Sequence, residues 1–183
     1  MPPVDSAAEE PAWVLKRYAH LLPAQGRALD LACGLGANAL FLAQQGLASH
    51  AWDIAENAIE RLAETSSSLG LNLSLQTRDV VASPPEAGSF DVIVVSRFLD
   101  RSLFPALAKA LAPSGVLFYQ TFVVGNKTGP SNPDYLLRQG ELLELLDGLT
   151  VRAYEEAGRC GQLELGLRDE ACIVVQTLTG DLY

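Results

Sequence analysis

The sequence predicts an α/β fold built on a doubly wound parallel sheet. Three observations predict it. Apolar strand-like segments alternate with helical ones through the first two thirds of the chain. A glycine turn, Gly34-Leu-Gly36, stands between a strand pattern and a helix pattern. Acidic residues (Asp30, Asp53, Asp79) stand at the ends of three successive predicted strands, where ligands of open α/β sheets bind.

Taken in order, residues 11–22 form a short amphipathic helix in which Trp13, Val14, Tyr18, Leu21 and Leu22 recur near helical spacing. Pro11 suits its first turn and Pro23 stops it. Residues 27–33 read as a buried strand, and residues 37–45 as a helix of good formers stopped at Gly46. Residues 49–54 form the second strand. Residues 56–69 form a helix with Ile59, Leu62 and Ala63 inward. Residues 71–77 alternate with period two, as a half-buried strand does. After a loop over residues 83–88, the unbroken apolar run 90–95 predicts a strand buried on both faces. A helix over residues 102–111, a turn at residues 113–115 and a strand over residues 116–123 follow. The polar segment 125–138 leads to a Leu-rich helix over residues 139–146. Strands over residues 149–154 and 171–178 lack an obvious helix between them, which predicts an antiparallel hairpin at one sheet edge.

Composition bounds the function classes. The chain has 183 residues, 49% hydrophobic and 19% charged, enough for one domain with a full core and too apolar for disorder. The expected organisation is a single domain over residues 1–183, with residues 1–10 flexible, a helix over residues 11–22 and an α/β core over residues 27–183. The net charge of −9 disfavours nucleic acid and anionic membranes as partners. No apolar run is long enough to span a bilayer, and the first residues do not resemble a signal peptide. Three cysteines, far apart, suggest a reducing, cytoplasmic setting and no zinc spacing. His50 has no apparent metal partner, so no metal is assigned. Cys33 reads as a packing residue, His20 as a surface residue, and Glu155 and Glu156 as solvent-facing.

The chemistry concentrates at the glycine turn. Gly34 and Gly36 let the backbone pass close to a ligand. Asp30, just before the turn, is an acid where a pyrophosphate would be repelled, and it suits a ligand with an amino group. Asp53, about 20 residues on, is placed to accept from ribose hydroxyls. Asp79 can accept from an adenine amino group. The third glycine of the dinucleotide fingerprint is missing, since Ala39 takes that position.

These residues resemble the class I S-adenosylmethionine-dependent methyltransferases, from about Trp13 onward. Residues 30–36 resemble their first motif, residues 90–96 their fourth strand and residues 111–117 their turn into strand five. The resemblance implies a Rossmann-like seven-stranded sheet, mostly parallel with one antiparallel edge strand. It implies S-adenosyl-L-methionine as cofactor, held by Asp30, Ala32, Gly34, Gly36, Asn38, Asp53, Ile54, Asp79, Val80 and Ser96. A narrower resemblance is to small bacterial tellurite-resistance methyltransferases of the TehB-like type, through residues 33–43, Trp52-Asp53 and residues 133–143. Ala37 stands where such proteins often carry Arg, so tellurite is not transferred as substrate.

A methyltransferase works mainly by alignment, which is worth roughly 7–11 kcal/mol. A thiol, amine or chalcogen acceptor needs no strong base, whereas an oxygen acceptor does. Candidates for the acceptor site are Arg97, Tyr119, Asn132 and Tyr135, on the segments that follow strands four and five. The bland reading of Arg97, Asp100 and Arg101 is a solvated charge cluster at a helix start. The leading expectation is methyl transfer to a small-molecule acceptor. A nicotinamide-dependent oxidoreductase and a non-catalytic cofactor-binding module remain as alternatives. The sequence leaves oligomeric state undetermined.

Overall fold

The computed structural model describes residues 10–125 and 127–178. The expectations for residues 1–9 and for Asn126 lie outside them. Among the described residues, seven strands form one sheet in the order β3-β2-β1-β4-β5-β7-β6. They are β1 (Arg27–Leu31), β2 (Ala48–Asp53), β3 (Ser74–Thr77), β4 (Phe90–Ser96), β5 (Leu111–Phe122), β6 (Thr150–Glu155) and β7 (Glu170–Gln176). The first five run parallel. β7 runs antiparallel to both β5 and β6, so the antiparallel strand lies one place in from the edge and β6 closes the sheet.

β4 shows why the unbroken apolar run works. Val92 and Val94 pack on one face with Leu42, Val14 and Phe118. Ile93 and Val95 pack on the other with Leu103, Phe104 and Leu107. The helices α1 (Trp13–Arg17) and α2 (Ala37–Gln44) cover the first face. On the second lie α4 (Phe104–Ala110) and α5 (Glu141–Leu145). The helix α3 (Glu56–Ser68) drives Leu62 against Ala39 and Ala51.

Several boundaries differ from expectation. The N-terminal helix stops at Arg17 and continues as a 3-10 turn, Ala19–Leu21. The expected turn at residues 113–115 is a bulge inside β5, where Phe90 pairs Leu111 but Val92 pairs Val116. The third strand is only Ser74–Thr77, since residues 71–73 make no ladder. The β6–β7 connection holds no helix and is organised by Arg168, whose guanidinium donates to the carbonyls of Gly158, Cys160, Gln162 and Leu165.

Candidate cofactor and acceptor site

The sheet order reverses between β1 and β4, and crevices open at the carboxyl ends of strands at such a switch point. The chain leaves β1 through a tight turn. Ala32, Gly34 and Gly36 all have positive φ (55°, 53° and 77°). A Cβ on Gly36 would lie 2.3 Å from Cδ2 of Leu62, so α3 fixes glycine there. A Cβ on Gly34 would meet nothing within 4 Å, so that position stays open above the turn. Its N–H donates to Asp53 Oδ2 at 2.8 Å, while Asp53 Oδ1 accepts from the Ala55 N–H at 2.9 Å. The predicted ribose acid is thus held against the glycine turn by backbone donors.

Asp30 corrects the expectation of a direct contact with a ligand's amino group. It is only 1% exposed, and its oxygens accept from the Ala39 N–H (3.0 Å) and Asn38 Nδ2 (3.3 Å). The first turn of α2 closes over it. Burial raises its pKa to about 7, the two hydrogen bonds oppose that rise, and the Asp53 charge adds to it. Asp30 therefore reaches the crevice through Asn38. That amide also donates to Ser96 Oγ (3.0 Å) and accepts from the Ala12 N–H (2.8 Å).

A cavity of about 590 Å³ lies at this switch point. Ala32, Gly34, Asn38, Ser96 and Arg97 line it, as do Pro11, Ala12 and Trp13 before and in α1. Sequence reading missed two of its wall residues, Gln120 and Glu170. Gln120 is 4% exposed; its Oε1 accepts from the Val14 N–H at 2.8 Å and its Nε2 donates to Glu170 Oε2 at 2.7 Å. Glu170 Oε1 accepts from Arg97 Nε and Nη2 at 3.1 and 3.0 Å. The available signal was a polar residue inside an apolar strand (Gln120) and an acid opening another (Glu170).

The other residues expected to hold the cofactor, Asp53, Ile54, Asp79 and Val80, are not among those that line this cavity. The Arg78 N–H donates to the Asp53 carbonyl at 2.7 Å, which seats Asp79 and Val80 beside the tip of β2. Asp79 Oδ1 caps the next turn through Val81 and Ala82, both at 3.0 Å. Val80 is buried, and Ile54 is exposed.

The acceptor candidates divide. Tyr119 is a correction. Strand alternation turns it to the face opposite Gln120, where it stacks on Phe104 and donates to the Phe98 carbonyl at 2.6 Å. Burial pushes its phenol well above the usual range, so it cannot serve as a base. Asn132 caps a 3-10 turn by accepting from the Asp134 N–H at 3.0 Å. Arg97 and Tyr135 both line an apolar recess of about 480 Å³ next to the cavity. Arg101 is partly exposed but structurally engaged. It grips buried Glu141 with two bonds (2.7 and 2.9 Å) and the carbonyls of Asp134 and Leu136, tying the loop after β4 to the segment after β5. Glu155 and Glu156, expected in solvent, are half-buried and accept from Tyr18 and Tyr154. Cys33 lines the cavity, and burial drives its thiol strongly upward, which keeps it protonated. A separate charged cavity of about 630 Å³ lies between the loop after β5 and the β6–β7 connection, away from the glycine turn.

Comparison with known proteins points the same way. Residues 28–115 match a family model described as a methyltransferase domain. A Haemophilus influenzae protein named Probable S-adenosyl-L-methionine-dependent methyltransferase TehB is 37% identical over 86 residues. That alignment covers 45% of this chain and 30% of the relative, so the chain spans less than a third of the curated relative it matches. The crystal structure of TehB from Haemophilus influenzae superposes with a TM-score of 0.72 at 24% identity, covering 90% of this chain and 61% of that one. A SAM dependent methyltransferase from Aquifex aeolicus gives 0.69 at 15% identity, over 90% and 89% of the two chains. The cyclase SpnF gives 0.71 at 18% identity, over 91% and 79%, so the fold alone does not fix the reaction. Residues 28–115, just under half of the chain, are thus similar to a methyltransferase domain and to TehB, and the described residues share the fold of solved S-adenosylmethionine-dependent methyltransferases.

Proposed function

We propose that the chain, acting as a single methyltransferase domain, transfers the methyl group of S-adenosylmethionine to a small-molecule acceptor, a thiol or chalcogen compound. The observation that carries this reading is the hydrogen bond from the Gly34 N–H to Asp53, which holds that acid against the glycine turn. The residues fit the cofactor. The turn has left-handed backbone at three positions and open space above Gly34. Asp53 and Asp79 stand where hydroxyl and amino donors of an adenosine would find acceptors. Ser96 and Asn38, braced by buried Asp30, border the opposite end of the crevice.

Bound S-adenosylmethionine supplies an electrophilic methyl group on a sulfonium. The chain's part is to hold and orient. Asp53 and the turn fix the ribose side, Asn38 and Ser96 fix the amino-acid side, and α1 walls the cavity from solvent. The two adjoining cavities, of about 590 and 480 Å³, offer room for the cofactor and a small acceptor. Calorimetric titration with S-adenosylmethionine, S-adenosylhomocysteine and NAD tests the reading. Saturable binding of both sulfur ligands with NAD inert supports it. Silence from both sulfur ligands refutes it.

A further inference from the structure

The apolar recess beside the cavity constrains what the acceptor can be. Phe98, Leu99, Phe122, Pro130 and Tyr135 form most of its wall. Among the described residues, its lining contains no carboxylate, histidine or lysine. Arg97 borders both this recess and the cofactor cavity. Its guanidinium lies 5.5 Å from the centre of the Phe122 ring and is already paired with Glu170, whose side chain is 6% exposed. Arg97 also sits at φ 54°, on a backbone tied to Gln120 by a 2.8 Å hydrogen bond, so its place at the junction is built into the sheet edge.

Resting on the methyltransferase reading above, we propose that this recess is the acceptor site and that its substrate is a small thiol with an uncharged, apolar body, its sulfur facing Arg97. The walls exclude the other classes. An alcohol or phenol would need a base within hydrogen-bond reach, and the lining offers no carboxylate, histidine or lysine, only the weakly acidic phenol of Tyr135, which is 55% exposed. An amine arrives protonated, and an ammonium group in an apolar recess without a carboxylate is costly. A carboxylate on the acceptor's body, at the end away from Arg97, would be buried against apolar walls with no cation to pair it. A thiol alone is a few per cent ionised near neutral pH and strongly nucleophilic without help. The Arg97 guanidinium favours that thiolate at the mouth of the recess. In the transfer, the thiolate sulfur forms the new bond to the methyl carbon as the methyl–sulfonium bond breaks. The electron pair of the broken bond stays on the departing sulfur, which becomes a neutral thioether. The thiol proton has already gone to solvent.

The test uses the full chain. Calorimetry with S-adenosylmethionine comes first, because no binding there overturns the methyltransferase reading and this proposal together. Methyl phenyl thioether, the expected product of thiophenol, is then titrated into protein saturated with S-adenosylhomocysteine. Binding should weaken about tenfold in Tyr135→Ala, as loss of an apolar pocket wall implies, with affinity for S-adenosylmethionine unchanged. Turnover should occur with thiophenol, be much lower with mercaptobenzoate and be absent with phenol. The pH profile should shift with the acceptor's own ionisation when an alkyl thiol replaces the aryl one. Intact S-adenosylmethionine binding with no thioether binding, with preference for mercaptobenzoate, or with one inflection shared by both thiols would overturn the proposal and leave the methyltransferase reading standing.

Discussion

Replacing Gly36 by alanine separates two reasons for a glycine. The residue has φ 77° and ψ 26°, and a left-handed alanine costs roughly 1–2 kcal/mol. The new Cβ would also stand 2.3 and 2.5 Å from the two methyl carbons of Leu62. Leu62 is fully buried, so it must repack, which adds about 1–3 kcal/mol. The total is roughly 2–5 kcal/mol, which for a chain of this size lowers Tm by about 4–20 °C. Gly34→Ala is the control. Its φ is 53° and no atom lies within 4 Å of the new Cβ, so only the backbone part, about 1–2 kcal/mol, applies. Urea unfolding followed by tryptophan fluorescence measures both. A cycle with Leu62→Ala isolates the clash, because Gly36→Ala should cost less in that background by about 1–3 kcal/mol. Equal losses for the two glycine variants, or strict additivity in the cycle, would refute the reasoning.

Other expectations follow from the same contacts. Asp53→Ala should weaken S-adenosylmethionine binding by at least about tenfold in calorimetry, since charge-assisted hydrogen bonds are worth about 1.5–3 kcal/mol; unchanged affinity would remove the ribose assignment. Glu141 is held down to about 2, chiefly by the hydrogen bond from Arg101. Its folded-state pKa lies below the ordinary carboxylate value, so its stabilisation is complete above about pH 4.5 and is lost as pH falls toward 2. Glu141→Gln should therefore be less stable than the parent at pH 6 and converge with it in acid, as urea midpoints across pH 2–6 will show. Asp30 has the opposite sign. The folded form keeps a proton that the unfolded form loses, so the parent's stability relative to Asp30→Asn should fall as pH rises from about 4 to 7, and a pH-independent difference would contradict the burial argument. Thiol labelling of the native protein should modify exposed Cys160 first and half-buried Cys33 more slowly, with buried Cys172, pushed up to about 12 by burial, reacting only on unfolding.

The fold was largely legible because its signals are local. The apolar run of β4, the glycine turn and the strand-end acids each declare themselves within a few residues. Boundaries were less legible where tertiary pairing overrides pattern. Residues 71–73 alternate like a strand, yet no neighbour pairs with them, and Pro113 to Gly115 read as a turn but bulge within β5. At the site, Asp30 reads from sequence as an acid facing a ligand's amino group, whereas the structure buries it. Its type and position are sequence facts, while its burial behind Asn38 depends on how α2 seats on β1.

The sequence by itself determined the class of fold and the place of the glycine turn at the crevice where the sheet order reverses. Hydrophobic period, glycine and acid spacing act along the chain and need no long-range partner to be read. Only the tertiary structure decided which polar groups meet. Gln120 and Val14 are 106 positions apart, Arg97 and Glu170 are 73 apart, and Arg101 and Glu141 are 40 apart. Nothing local to any of these residues names its partner. Strand alternation turned Tyr119 into the core and Gln120 toward α1, although the two are adjacent in sequence. The sheet order that places β7 beside β5 then set Glu170 against Arg97 and so shaped the boundary between the two cavities.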